Sequence, residues 1–150
     1  MNISPAKLSR ILAAFILVIS PMASAGEKAT TMRAADAWQA VEQGEALLVD
    51  IRQPEEWADT GMARHAIGIS MVHPEGQQGF LRDLVTATGG RLDAPIVLIC
   101  RTGNRTSQVR QALASMGFTN VSHIPEGMIG SRAGPGWIAS DLPVEACRSC

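Results

Sequence analysis

The sequence predicts an α/β domain with a mainly parallel central sheet. Three observations lead there: short apolar runs alternate with segments of helical spacing, two of the runs are apolar enough to be buried strands, and glycine stands at most of the joints. At 150 residues with no internal repeat, the chain has the length of one domain.

The elements follow in order. Residues 26–30 are small and polar and read as a flexible mature N-terminus, with a short first strand expected at 31–33. Residues 34–43 place Ala37, Trp38 and Val41 on one helical face, and Gly44 stops the helix. Residues 46–49 form a buried strand that runs into Asp50. Pro54 suits the first turn of a short helix bearing Glu55, Glu56 and Trp57, because its missing N–H is not needed there. A strand is expected at 67–72, and a helix carrying Phe80, Leu81, Leu84 and Val85 ends at Gly89-Gly90. Pro95-Ile96-Val97-Leu98-Ile99 is the clearest buried strand and delivers Cys100. Val109, Leu113 and Met116 make the apolar stripe of a helix expected at 106–116, stopped by Gly117, and 120–124 is the next short strand. The tail beyond Pro125 is rich in glycine and proline, with Trp137-Ile138 expected to dock it on the core. Residues 145–150 read as a separate cysteine-bearing tail.

Ahead of these elements, residues 1–25 have the layout of a secretory signal. Lys7 and Arg10 are the positive start, 11–19 the apolar run, and Ala23-Ser24-Ala25 the small-residue cleavage pattern. The run is well short of the roughly 20 apolar residues that span a bilayer, so cleavage after Ala25 is expected rather than anchoring. The expected destination is the periplasm of a Gram-negative bacterium, with a mature form that does not span the membrane. Cleavage removes two of the 13 Lys and Arg and none of the 14 Asp and Glu, leaving a net charge of −3, which argues against nucleic-acid binding.

Export leaves three cysteines, an odd number where disulfides form, so one is expected as a free thiol. Cys100 stands apart. The segment Cys100-Arg101-Thr102-Gly103-Asn104-Arg105 joins a buried strand to a helix, at the strand end where ligands bind in parallel α/β sheets. Such a loop can turn its N–H groups inward at the positive end of the helix and form an anion cup. Gly103 and Asn104 tolerate the positive φ this needs, and Arg101 and Arg105 add charge. Electropositive settings of this kind favour the thiolate, so Cys100 is expected as a reactive anion rather than as a buried apolar residue. Asp50-Ile51-Arg52, also just past a strand end, is expected at the same edge.

These motifs resemble the rhodanese sulfurtransferases in their single-domain, exported form. Cys100 to Arg105, followed by Thr106, fits that family's active loop. Leu48-Val49-Asp50-Ile51-Arg52 with Glu56-Trp57 fits its earlier strand-and-turn signature, and Gly61 and Ala66 fit the motif after it. The resemblance covers roughly residues 31–144. Met62 replaces the usual histidine, His65 the usual second glycine, and Glu126-Gly127 a usual glycine pair.

The resemblance implies a three-layer fold and transfer of sulfane sulfur from a small sulfur-containing anion such as thiosulfate. A Cys100 persulfide would carry the sulfur to cyanide or a thiol, with Arg101, Thr102, Gly103, Asn104 and Arg105 as the binding loop and no metal or organic cofactor. Phosphatases with a similar loop place one more residue between cysteine and arginine to enclose a tetrahedral phosphate, so the shorter loop here favours sulfur. The competing functions are a sulfur- or partner-binding module with little turnover and, less favoured, a phosphatase or arsenate reductase.

Asp50 and Arg52 are supporting residues, read foremost as an ion pair fixing the strand end. Cys147-Arg148-Ser149-Cys150 is open to three readings: a disulfide, which the oxidising compartment favours, a redox or sulfur-accepting dithiol, or half of a metal site that no nearby Cys or His completes. His65, His73 and His123 lack metal-ligand spacing and read as surface or hydrogen-bonded histidines. Trp38, Trp57 and Trp137 read as core, and Glu55-Glu56 as a match to a helix dipole.

Overall fold

The structure, a computed structural model, describes residues 30–147. The signal pattern at 1–25 and Cys150 lie outside the described residues. The elements run α1 (Ala34–Glu42), β1 (Leu47–Asp50), α2 (Pro54–Thr60), β2 (Met62–Ala63), β3 (Ile67–Gly68), α3 (Gly76–Ala87), β4 (Ile96–Ile99), α4 (Asn104–Ser115), β5 (Val121–His123), α5 (Gly136–Ala139) and β6 (Val144–Glu145).

Four strands form a parallel sheet in the order β3-β1-β4-β5. β1 and β4 are central, and this explains their unbroken apolar sequences: both faces of a parallel sheet are covered. Side chains alternate across the sheet with period two. Leu48, Val97 and Ile99 join Ala37, Val41 and Trp137 in one core, while Val49, Ile96, Leu98 and Cys100 join Phe80, Leu84 and Leu113 in the other. Helices α1 and α5 cover the first face, and α3 and α4 the second. Cys100 thus shares the parity of Ile96 and Leu98, which turns it toward the layer of α4.

Register brings the functional segments together. Asp50 pairs with Ile99, and Ile51 N–H donates to the Ile99 carbonyl at 3.0 Å, so the chain leaving β1 and the chain leaving β4 emerge side by side. A second, two-stranded antiparallel sheet pairs β2 with β6 and ties the tail back. Trp137 is fully buried, meets Trp38 edge-on at 6.1 Å, and donates its indole N–H to the Pro143 carbonyl. A tryptophan so placed contributes about 3–5 kcal/mol by comparison with alanine. Ile138 beside it faces outward, 39% exposed, so of the expected pair only Trp137 enters the core, where Met128 and Leu142 of the same tail join it.

Several sequence expectations are corrected. The strand expected at 67–72 is only Ile67–Gly68, because the Ser70 hydroxyl accepts from Val72 N–H and turns the chain; Ile69 and Met71 still donate to Asp50 and Ile51. The strand expected at 31–33 is a single bridge from Thr31 to His123. Helix α4 begins at Asn104 rather than at 106, so Asn104 is helical and only Gly103 takes the positive φ.

Two departures from the family pattern have physical accounts. His65 adopts φ 65°, the left-handed region where glycine is usual, with its ring stacked on Trp38 at 5.9 Å. Glu126 is buried, and its Oε2 accepts from Ala34 N–H at 2.6 Å, capping α1 from 92 residues away.

Candidate active site

The loop from Cys100 to Arg105 is shaped by its carbonyls. Met128 N–H donates to the Cys100 carbonyl at 2.9 Å and Ile129 N–H to the Arg101 carbonyl at 3.1 Å. In a trans peptide the next N–H points opposite to its C=O, so these bonds aim the amides of Arg101 and Thr102 away from the 128–129 segment. Gly103 N–H donates to Cys100 Sγ at 3.2 Å. Among the described residues the N–H groups of Arg101, Thr102, Asn104 and Arg105 donate to nothing, which leaves them for an anion at the positive end of α4.

Two glycines make this packing sterically feasible. Gly103 has φ 85°, and a Cβ there would lie 2.2 Å from the Pro125 carbonyl oxygen. Gly127 has φ 69°, and a Cβ there would lie 2.4 Å from the Arg101 carbonyl oxygen. Gly127 is the retained half of the usual glycine pair.

Cys100 is a free thiol, 1% exposed, at the bottom of the loop. Thr106, also fully buried, stands beside it: its Oγ1 lies 3.7 Å from Cys100 Sγ, 3.0 Å from His123 Nδ1, and donates to the Gly103 carbonyl at 2.8 Å. Arg101 is exposed on the rim, near Arg52, Glu56, Asp59 and Thr60 around a small cleft.

Arg105 is committed to a carboxylate. Its two Nη atoms donate to the two oxygens of Glu56, each at 2.6 Å. The Glu56 carboxyl is held below its ordinary range, first by Arg105 and further by the N–H of Gln53. The Arg105 guanidinium is correspondingly raised, chiefly by Glu56, with Cys100 contributing. The helix-dipole reading of Glu56 is therefore incomplete: Glu56 caps α2 and also holds the loop arginine.

Asp50 and Arg52 form a buried ion pair, Nη2 to Oδ2 at 2.7 Å. Arg52 also donates to the Glu56 carbonyl, Thr60 Oγ1 and the Gly61 carbonyl, so every side of its guanidinium has a partner. The pair stitches the end of β1 to the C-terminal turn of α2, and its bond to the Glu56 carbonyl helps fix where Glu56 stands. Cys147 is disulfide-bonded and lies in the tail beyond β6. No group of His, Cys, Asp or Glu suited to a metal ion occurs among the described residues.

Sequence reasoning placed Thr106 at the end of the loop motif and read His123 as a surface or hydrogen-bonded histidine, but gave neither a place beside the sulfur. Thr106 follows the loop motif directly, which was a usable signal. His123 lies 23 positions beyond Cys100 on another strand, and nothing local marks it.

A thiol at the carboxyl edge of a parallel sheet, in a cup of backbone amides at a helix start, places this chain among the α/β domains that set a cysteine beside an anion-binding loop. Residues 33–130 match the rhodanese-like domain, and the chain belongs to that family. An uncharacterized protein of Rickettsia prowazekii is 26% identical over 100 residues, covering 65% of this chain and 81% of its own length. Among solved structures, a human single-domain sulfurtransferase is 25% identical with a TM-score of 0.53, covering 66% of this chain and 91% of its own. A protein of Rhodopseudomonas palustris, described as of unknown function and a possible tyrosine phosphatase, is 25% identical with a TM-score of 0.54, covering 77% and 83%.

Proposed function

We propose that the protein is a sulfurtransferase that moves sulfane sulfur through a Cys100 persulfide, with thiosulfate or a similar small anion as donor. The observation that carries this reading is the geometry at the sulfur: Gly103 N–H lies on Cys100 Sγ, with unused amides around it, in a loop that closes after four intervening residues. In the first step the Cys100 thiolate attacks the outer sulfur of thiosulfate. The new S–S bond forms as the old one breaks, and sulfite leaves with the electron pair. In the second step cyanide or a thiolate attacks the outer sulfur, and Cys100 departs as thiolate. The amides stabilise the negative charge on sulfur in both steps, and no metal or organic cofactor takes part.

Phosphate hydrolysis is the second reading, favoured by the description of the Rhodopseudomonas protein. It fits less well here because the end-on fork of Arg105 is already taken by Glu56 and the loop has four residues between Cys100 and Arg105, one fewer than the phosphatase loop. A binding module with little turnover is the third. The exported, periplasmic setting is part of the proposal, resting on residues 1–25.

The test is the intact mass of the protein, cut after Ala25, before and after thiosulfate, with Cys100→Ser in parallel and thiocyanate followed on adding cyanide. One added sulfur, absent in Cys100→Ser and discharged with turnover, supports transfer. No gain, or a gain in Cys100→Ser, ends the proposal; hydrolysis of an aryl phosphate would promote the second reading.

A further inference from the structure

The buried hydroxyl of Thr106 has more neighbours than protons. It meets the Gly103 carbonyl, Cys100 Sγ and His123 Nδ1, yet a hydroxyl carries one hydrogen and two lone pairs. The Gly103 carbonyl can only accept. His123 can do either, according to which ring nitrogen holds the proton. If Nδ1 accepts, it draws the Thr106 hydrogen away from the sulfur. If Nδ1–H donates, Oγ1 is satisfied from that side, and its own hydrogen is left to divide between the Gly103 carbonyl and a sulfur anion. The state of His123 therefore sets what Thr106 offers to Cys100.

The other edge of the ring is placed differently. His123 is 7% exposed, and its Nε2 has no hydrogen-bond partner among the described residues. The ring borders a cleft of about 540 Å³ lined by Thr102, Asn104, Ser107, Ser131 and Arg132 as well. Proton exchange at Nε2 can thus reach solvent without crossing the core. The charged groups near the ring are Arg110 of α4 and Arg132 across the cleft; burial first, and Arg110 second, push its pKa below the ordinary histidine value. That shift favours the uncharged ring, for which the choice between the two tautomers is what matters.

We propose that His123 is a positioning residue for Cys100, acting through Thr106 Oγ1: because that hydroxyl donates to the Gly103 carbonyl, Nδ1–H donates to it and orients it toward the sulfur, and Nε2 opens this buried chain to the cleft. The inference rests on Cys100 as the nucleophile, and its test reads the thiol directly rather than sulfur transfer.

The experiment is the rate of Cys100 alkylation by iodoacetamide between pH 5 and 9, located by peptide mass, in the wild-type chain, Thr106→Val, His123→Leu, the double variant and His123→Asn. The asparagine amide nitrogen sits near the former Nδ1 and can keep the bond to Thr106. Expected are a slowing of about tenfold at neutral pH in both Thr106→Val and His123→Leu, from loss of a hydrogen bond to a charged group, and no further loss in the double variant. His123→Asn should stay within about threefold of wild type. A wild-type profile in His123→Leu, or equal slowing in His123→Leu and His123→Asn, overturns the proposal, since the ring would then act by packing or not at all. Should His123→Leu fail to fold, His123→Gln carries the same expectation, because its amide extends toward the cleft and away from Thr106. If thiosulfate loads no sulfur while alkylation follows the expected pattern, the sulfur-transfer reading fails and this inference stands.

Discussion

Glu56 and Arg105, 49 positions apart, meet through two parallel hydrogen bonds of 2.6 Å. The bond pattern links the helix after β1 to the loop after β4 and occupies the arginine expected to face the donor. Replacing Glu56 by Gln should free that guanidinium for an anion. The expected result is a fall of roughly threefold in the KM for thiosulfate, with a small loss of stability typical of a partly exposed pair.

The same pair has a pH signature. Because the Glu56 carboxyl is depressed in the folded chain, its contribution to stability is fully present above the ordinary value of 4.5 and is lost as pH falls through the lower folded value. Urea unfolding of wild type and Glu56→Gln from pH 7 down to pH 3 should show curves that differ at neutral pH and converge in acid. A difference that persists unchanged at the acid end argues against an ionised pair.

Asp50→Asn should be among the most destabilising single changes, because it leaves the Arg52 guanidinium buried at 1% exposure without its counter-charge. A loss of about 3–5 kcal/mol is expected from chemical denaturation. An unchanged midpoint would show that the backbone carbonyls around Arg52 suffice by themselves.

Gly103→Ala and Gly127→Ala test the loop shape. Each puts a Cβ within 2.4 Å of a carbonyl oxygen and forces a left-handed backbone on a residue that resists it. Both should lose sulfur loading from thiosulfate in the mass assay and about 1–3 kcal/mol of stability. Retained loading in Gly103→Ala would mean the amide cup is not required.

Arg101 stands exposed at the rim, so Arg101→Ala should leave stability unchanged. It should lower kcat/KM for an anionic donor severalfold in dilute salt, with the difference narrowing as salt screens the charge. The Cys147→Ser/Cys150→Ser variant should leave sulfur release to cyanide and to thiols unchanged, since Cys147 is taken up in a disulfide. Slower release to thiols alone would give the tail a sulfur-accepting role.

Much of this protein is legible along the chain. The apolar runs ending at Asp50 and Cys100 mark two central parallel strands, because only strands covered on both faces are uniformly apolar. The glycine-bearing cationic loop after Cys100 marks the strand-to-helix junction whose free amides the proposed function assigns to an anion, because a structural cysteine has no need of such a loop. Parity along β4 turns Cys100 to the α4 side. Less was legible where a side chain serves two masters: Glu56 looks like an ordinary first-turn acid, and nothing in Pro-Glu-Glu-Trp indicates Arg105 as its partner.

Sequence by itself therefore determined the fold class and the place of Cys100 with its loop between β4 and α4, since these depend on residues close together in the chain and on periodicities of two and 3.6. Only the tertiary structure decided that Glu56 holds Arg105, that Glu126 caps α1, and that His123 reaches Cys100 through Thr106. Those contacts depend on the register of β1, β4 and β5, which brings segments many residues apart to within hydrogen-bond distance, and local pattern carries no record of register.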